Sequence, residues 1–176
     1  MYKRQHLDVG VLGGRVLFHV LTDFGYSDLA FSMITRPDYP SYGNWIARGA
    51  TTLWEVFQPE GSDRIGSLNH HFWGDISSWF TQALSGIRMA PHGEPNEVDF
   101  RPSFISRLTH AEAFHIAPAG RIASAWERDE DDVIVLTVEL PSTMHGVIRL
   151  ESGYVFEDGL AYKAAESGTY RIHSIE

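Results

Sequence analysis

The chain has no cysteine, which excludes disulfides and thiolate metal sites and leaves the redox compartment unread. Basic residues are sparse: 14 Lys and Arg face 23 Asp and Glu, for a formal net charge of −9. No basic stripe is visible, so neither nucleic acid nor an anionic membrane surface is expected as a partner. No apolar run approaches the ~18–20 residues that a membrane-spanning helix needs. There is no internal repeat and no low-complexity tract. The opening Met1-Tyr2-Lys3-Arg4-Gln5 is too short and polar for a secretory leader, and it runs straight into dense apolar pattern. The expectation is therefore that further sequence precedes Met1, and the compartment stays open.

What is present is globular in texture: 176 residues, 43% apolar and 21% charged, enough for one large domain or two small ones. The first half reads as helix. Val16, Leu17, Phe18, Val20, Leu21 and Phe24 recur at helical spacing with Gly25 as the stop. Gly10 to Gly14 reads as the turn before that helix, because it lacks the preceding strand and the Lys-Ser/Thr ending of a phosphate loop. Ser27-Asp28 is placed to cap a second short helix, and a third spans Tyr42 to Arg48 and ends at Gly49. After Gly74, the residues Ile76, Trp79, Phe80, Ala83, Leu84 and Ile87 make one helical stripe.

Past the cluster Pro91 to Asn96, which has the composition of a linker, the pattern changes to strands. Short β candidates lie at 111–116, 121–127, 146–150, 154–156 and 169–175. Val133 to Val138 is nearly continuous and β-branched, which predicts a strand buried on both faces. The acidic run Asp129 to Asp132 before it reads as a solvated hairpin turn. The predicted organisation is α and β in separate domains: a helical part over 6–88 and an antiparallel β part over 97–176. The helices are apolar around much of their girth, so as a free-standing group they should expose apolar surface, with poor solubility or self-association.

Five tryptophans are present and four, Trp45, Trp54, Trp73 and Trp79, lie in the first half. Core packing accounts for most such residues, but flat aromatic faces also suit pyranose rings. Glu55 is the carboxylate of most interest. It follows Gly49-Ala50-Thr51-Thr52-Leu53-Trp54, an apolar and hydroxyl-rich stretch in which partial desolvation would raise its basicity and suit a general base. The alternative is a glutamate paired with an arginine at a helix end. His70 and His71 are adjacent, and no metal-binding spacing such as His-Glu-x-x-His occurs. His70 is then either a hydrogen-bonded structural group or a ligand-binding one. No oxygen-rich loop suggests calcium, so no cofactor is expected. Ser41 and Ser67 lack a Gly-x-Ser-x-Gly context, so a serine nucleophile is not supported. Trp126, the one tryptophan after the linker-like cluster, reads as core.

Taken together, Tyr39-Pro40-Ser41-Tyr42-Gly43, then Gly49 to Glu55, then Asn69-His70 with Gly74 and Trp79-Phe80, resemble the end of the catalytic domain in glycoside hydrolase family 78, the bacterial α-L-rhamnosidases. Arg101-Pro102 resembles the start of that family's C-terminal β-domain, and the likeness covers nearly the whole chain from His6. It implies the late helices of a six-hairpin (α/α)6 barrel followed by a jelly-roll-like antiparallel β-sandwich. The implied reaction is inverting hydrolysis of terminal α-L-rhamnose by two carboxylates about 6.5–9.5 Å apart.

By the same resemblance Glu55 is the general base, His70 bonds the rhamnose ring, and Trp54 lies in or just behind the pocket, with Tyr42 and Trp45 on the same wall. The general acid has no counterpart in this chain, so the implied partner is the missing N-terminal part of the same enzyme, and the chain alone would be nearly inactive. Two departures affect the pocket rim and the aglycone. Val56-Phe57 stands where many members have Arg-Trp, and the stretch from Glu55 to His70 is short. Two other readings remain: a different six-hairpin glycosidase, or a non-catalytic carbohydrate-binding β-module.

Overall fold

The computed structural model describes residues 6–63 and 66–175; Met1–Gln5, weighed above as a leader, lie outside them. The chain divides into two compact units, one up to Ser78 and one from Trp79.

The first unit is built of short helices. α1 spans Val11–Asp23, α2 Ser27–Thr35 and α3 Tyr42–Ala47. α1 ends as its sequence predicts. Gly25 sits at φ 80°, its N–H bonds Thr22 O at 2.9 Å, and the Tyr26 N–H bonds Leu21 O at 2.7 Å. These two bonds form a Schellman cap, which needs the left-handed conformation that glycine adopts freely. α3 closes the same way, with Gly49 N–H on Ile46 O and Ala50 N–H on Trp45 O, both at 2.9 Å.

Two local readings are corrected. The turn read over Gly10 to Gly14 is helical from Val11, since Gly10 is the extended N-cap. Gly14 is buried on that first turn because a Cβ there would overlap the six-membered ring of Trp73. Ser27 does not cap α2 but lies inside it, with Tyr26 as N-cap making no side-chain bond.

α4, Asp75–Trp79, continues as a π-helical turn over Phe80–Leu84. The wider turn ends the predicted stripe early. Trp79, Ala83 and Leu84 are buried, Phe80 is exposed, and Ile87 belongs to a strand.

Among the described residues the second unit carries nine strands. β1 (Ile87–Met89), β2 (Val98–Phe100), β6 (Val147–Arg149) and β8 (Tyr162–Ala164) form one sheet in the order β1-β2-β6-β8. β3 (His110–Ala117), β4 (Gly120–Arg128), β5 (Ile134–Glu139), β9 (Gly168–Ser174) and β7 (Tyr154–Phe156) form the other in the order β3-β4-β5-β9-β7. All pairs are antiparallel except β2 with β6. The segment 91–96, read as a linker, joins β1 to β2 within this unit, and Ala90 N–H bonds Glu97 O at 2.8 Å across it.

Side chains from both sheets fill one core: Val98, Phe100 and Ile148 from the first, and Ile122, Trp126, Ile134, Leu136 and Ile172 from the second. β5 is not buried on both faces. Ile134, Leu136 and Val138 point inward while Thr137 and Glu139 are exposed, the alternation of an antiparallel sheet with one wet face. The acidic run is a hairpin turn as expected, closed by Asp129 N–H on Val133 O at 2.9 Å, with Asp129 Oδ1 accepting from Asp131 N and Val133 N.

Candidate active site

The site is launched by the loop before α3. Arg36 forks onto Asp38, Nε to Oδ1 at 2.8 Å and Nη2 to Oδ2 at 2.7 Å, and His6 Nε2 lies 3.0 Å from the same carboxylate. The Tyr39–Pro40 peptide is cis. Ser41 is fully buried and donates to Arg36 O at 2.5 Å, and its Oγ accepts the Asn44 N–H at 2.9 Å. That N-cap starts α3 and orients Tyr42 and Trp45.

Beyond the Gly49 cap the chain is irregular with bends, and two segments close on each other. Leu53 O accepts the His70 N–H at 2.8 Å, and Ser67 O accepts the Glu55 N–H at 2.8 Å. The Thr52 hydroxyl donates to Leu68 O. The Glu55 carboxylate then folds back onto its own partner, where Oε2 accepts the Ser67 N–H at 2.8 Å. The Glu55 carbonyl is held from the other side by the Trp73 indole, Nε1 to O at 3.0 Å. Glu55 is half-buried.

His70 is half-buried as well. Its Nδ1 accepts the Phe72 N–H at 3.2 Å, which leaves Nε2 as the donor of the neutral ring. The ring stacks on His71 with centroids 5.2 Å apart and meets the edge of Phe72 at 3.8 Å.

The aromatic residues sort by depth. Tyr42 and Trp45, expected on a substrate wall, are 7% and 2% exposed and pack into an aromatic core. Trp45 stacks on Phe57 at 4.1 Å and Tyr42 meets both edge-on at 5.4 Å. Phe57, one of the two positions that depart from the family pattern, is therefore a packing residue. Tyr42 OH donates to Trp73 O at 3.1 Å. Burial, reinforced by the charge of Asp75, pushes its pKa well above the ordinary tyrosine range, so the hydroxyl remains a donor. Trp54 is half-buried, with Trp45 at 6.1 Å and the Arg48 guanidinium 5.2 Å from its ring centroid; Arg48 also bonds Gln58 O at 2.8 Å.

The structure thus brings Glu55 and His70 onto facing segments and sets Trp54 beside Glu55, while Tyr42 and Trp45 support them. Sequence reasoning gave no role in the site to Ser67 or Trp73, although both lie within three residues of the Asn69-His70 pair. Among the described residues no group of three or more His, Asp or Glu is gathered as a metal site would require. A groove of about 380 Å³ runs along α2 past Tyr26, Leu29 and Met33, and Glu55, His70 and Trp54 do not line it. The chemistry available is a fixed carboxylate able to accept a proton, an imidazole whose Nε2 can donate a hydrogen bond, and an aromatic face beside them. In the β unit, Trp126 is core as expected: it is 2% exposed and donates to Leu84 O at 2.7 Å.

Comparison with known proteins points one way. The family model for the bacterial alpha-L-rhamnosidase 6 hairpin glycosidase domain matches residues 2–84, and that for the bacterial alpha-L-rhamnosidase C-terminal domain matches residues 96–154. An alpha-L-rhamnosidase of an Alteromonas species is 30% identical over 186 residues, covering 97% of this chain and 20% of that protein. The solved alpha-L-rhamnosidase of Dictyoglumus thermophilum superposes with TM-score 0.80 at 26% identity, over 97% of this chain and 21% of its own. The Streptomyces avermitilis alpha-L-rhamnosidase, solved in complex with L-rhamnose, does so with TM-score 0.79 at 27% identity, over 95% of this chain and 18% of its own. The chain spans about a fifth of the length of the curated relatives it matches.

Proposed function

We propose that this chain, which belongs to the bacterial α-L-rhamnosidase family, supplies the general-base side of a glycosidase site that releases terminal α-L-rhamnose. In this reading Glu55 takes a proton from water as the water oxygen attacks the anomeric carbon. The glycosidic oxygen leaves with a proton from a general acid outside this chain, and the configuration inverts. His70 donates from Nε2 to a ring hydroxyl and Trp54 walls the sugar. The short helices are the late staves of an (α/α)6 barrel, and the two sheets are its jelly-roll-like C-terminal sandwich. The partner is the rest of the same enzyme, and the substrate is a rhamnose-containing glycoside.

The observation that carries this reading is the Glu55 carboxylate pinned by the Ser67 N–H, on the paired segments that also hold His70. A carboxylate fixed by a backbone donor is aimed rather than free to rotate, and aim is what general-base assistance requires. The test is Glu55→Gln in the full-length gene product on an aryl α-L-rhamnoside. Turnover should fall by roughly 10²–10⁴-fold with folding unchanged, and the first sugar anomer seen by proton NMR in the wild type should be β. Wild-type turnover in the variant, or α-rhamnose as the first product, would overturn the proposal.

A further inference from the structure

The structure assigns Trp73 as a positioning residue for Glu55, an inference that rests on Glu55 being the general base. Three polar groups of Glu55 are held. Its N–H and carboxylate both meet Ser67, and its carbonyl meets the Trp73 indole N–H at 3.0 Å. The Ser67 bonds lie between two irregular segments and by themselves tie loop to loop. The Trp73 bond is different, because Trp73 is anchored to the helices. It is 6% exposed, its own carbonyl accepts from Tyr42 OH at 3.1 Å, and its ring meets Phe57 edge-on at 4.7 Å. Its six-membered ring packs where Gly14 of α1 leaves no Cβ. Next to it, Asp75 Oδ2 lies 3.0 Å from His19 Nε2 of the same helix α1. Trp73 therefore carries the position of α1 and α3 to the main chain of Glu55.

A tryptophan has few rotatable bonds and usually satisfies its N–H when buried, so such a bond is ordinary in itself, although the buried Trp45 N–H finds no partner among the described residues. The distinguishing feature is the acceptor. Release of the Glu55 carbonyl loosens the main chain at Glu55, and the carboxylate shifts with its Cα. A misplacement of about 1 Å at a reacting group costs on the order of 10²-fold in rate, so even partial release is measurable. The role is positional: Trp73 touches neither water nor sugar in this scheme.

The experiment uses the full-length gene product and removes the donor while keeping the ring. Trp73 is replaced by benzothienylalanine, in which sulfur stands for the indole N–H, and in parallel by Trp73→Phe. kcat and KM on an aryl α-L-rhamnoside and the melting temperature are measured in the wild-type and Glu55→Gln backgrounds. With Glu55 present, the sulfur analogue should lower kcat on the order of tenfold and leave KM within about twofold. In the Glu55→Gln background the same replacement should change residual kcat by less than about twofold, because residues acting as a unit are not additive.

An equal loss in both backgrounds, or a lowered melting temperature with wild-type kcat, overturns the inference and leaves the general-base reading standing. Full turnover by Glu55→Gln alone overturns both. Should Trp73→Phe fail to fold, the isosteric analogue decides.

Discussion

Ser67 holds Glu55 at both ends of the residue: its carbonyl accepts the Glu55 N–H at 2.8 Å, and its N–H donates to Glu55 Oε2 at 2.8 Å. The serine hydroxyl takes no part in this grip, since it bonds locally to Asn69. Ser67→Ala should therefore keep most activity in the full-length protein. Ser67→Pro, which removes the N–H, should lose about tenfold or more in kcat. Steady-state kinetics of the two variants side by side checks this, and equal activity in both would contradict the backbone assignment.

The Arg36–Asp38 fork predicts a pH dependence. The Arg36 hydrogen bonds, with a further one from His6, hold the Asp38 carboxyl far below the usual carboxylate range. A depressed folded-state pKa stabilises fully above the unfolded value of about 3.9, and that contribution is lost as pH falls toward the folded value. The difference in melting temperature between the chain and its Asp38→Asn variant should be flat above about pH 5 and shrink below about pH 4. It should also shrink in high salt, because the pair is exposed. Melts across that range decide it; a difference that widens on acidification contradicts it.

In the β unit, Trp126→Phe removes the donor to Leu84 O and leaves that carbonyl unpaired beneath the core. The expected loss is about 1–3 kcal/mol from the orphaned acceptor. The midpoint of a denaturant titration reads it, and an unchanged midpoint would mean that water reaches the carbonyl.

α1 and its C-cap Phe24 show four apolar side chains to solvent at spacing four: Leu12, Val16, Val20 and Phe24, with Leu12 at 77% and Phe24 at 76% the most exposed. The isolated 176-residue chain should therefore self-associate and bind a dye that reports apolar surface. Light scattering coupled to size-exclusion chromatography is the check. Leu12→Gln with Phe24→Gln should shift the population toward monomer, and a clean, dye-free monomer without them would contradict the expectation.

The sequence alone determined what depends on neighbours along the chain. Gly25 and Gly49 ended their helices where read, because a Schellman cap is made within six residues. The acidic hairpin and the strands β3, β4 and β5 followed from turn chemistry and β-rich runs over similar distances, whereas β8 was not read. The likeness to the rhamnosidase domains was also legible, since it is carried by local strings such as those around Glu55 and His70.

Tertiary structure decided the rest. It buried Tyr42 and Trp45 in an aromatic core, drew Ile87 out of a helical stripe into β1, and left β5 wet on one face. It also set the grip on Glu55, from Ser67 12 residues on and from Trp73 18 residues on. No local pattern encodes such partners. Which N–H meets a given carboxylate depends on how the Gly49 cap aims one segment and how Gly14 seats a distant ring, and both are outcomes of packing among groups that the chain brings together only by folding.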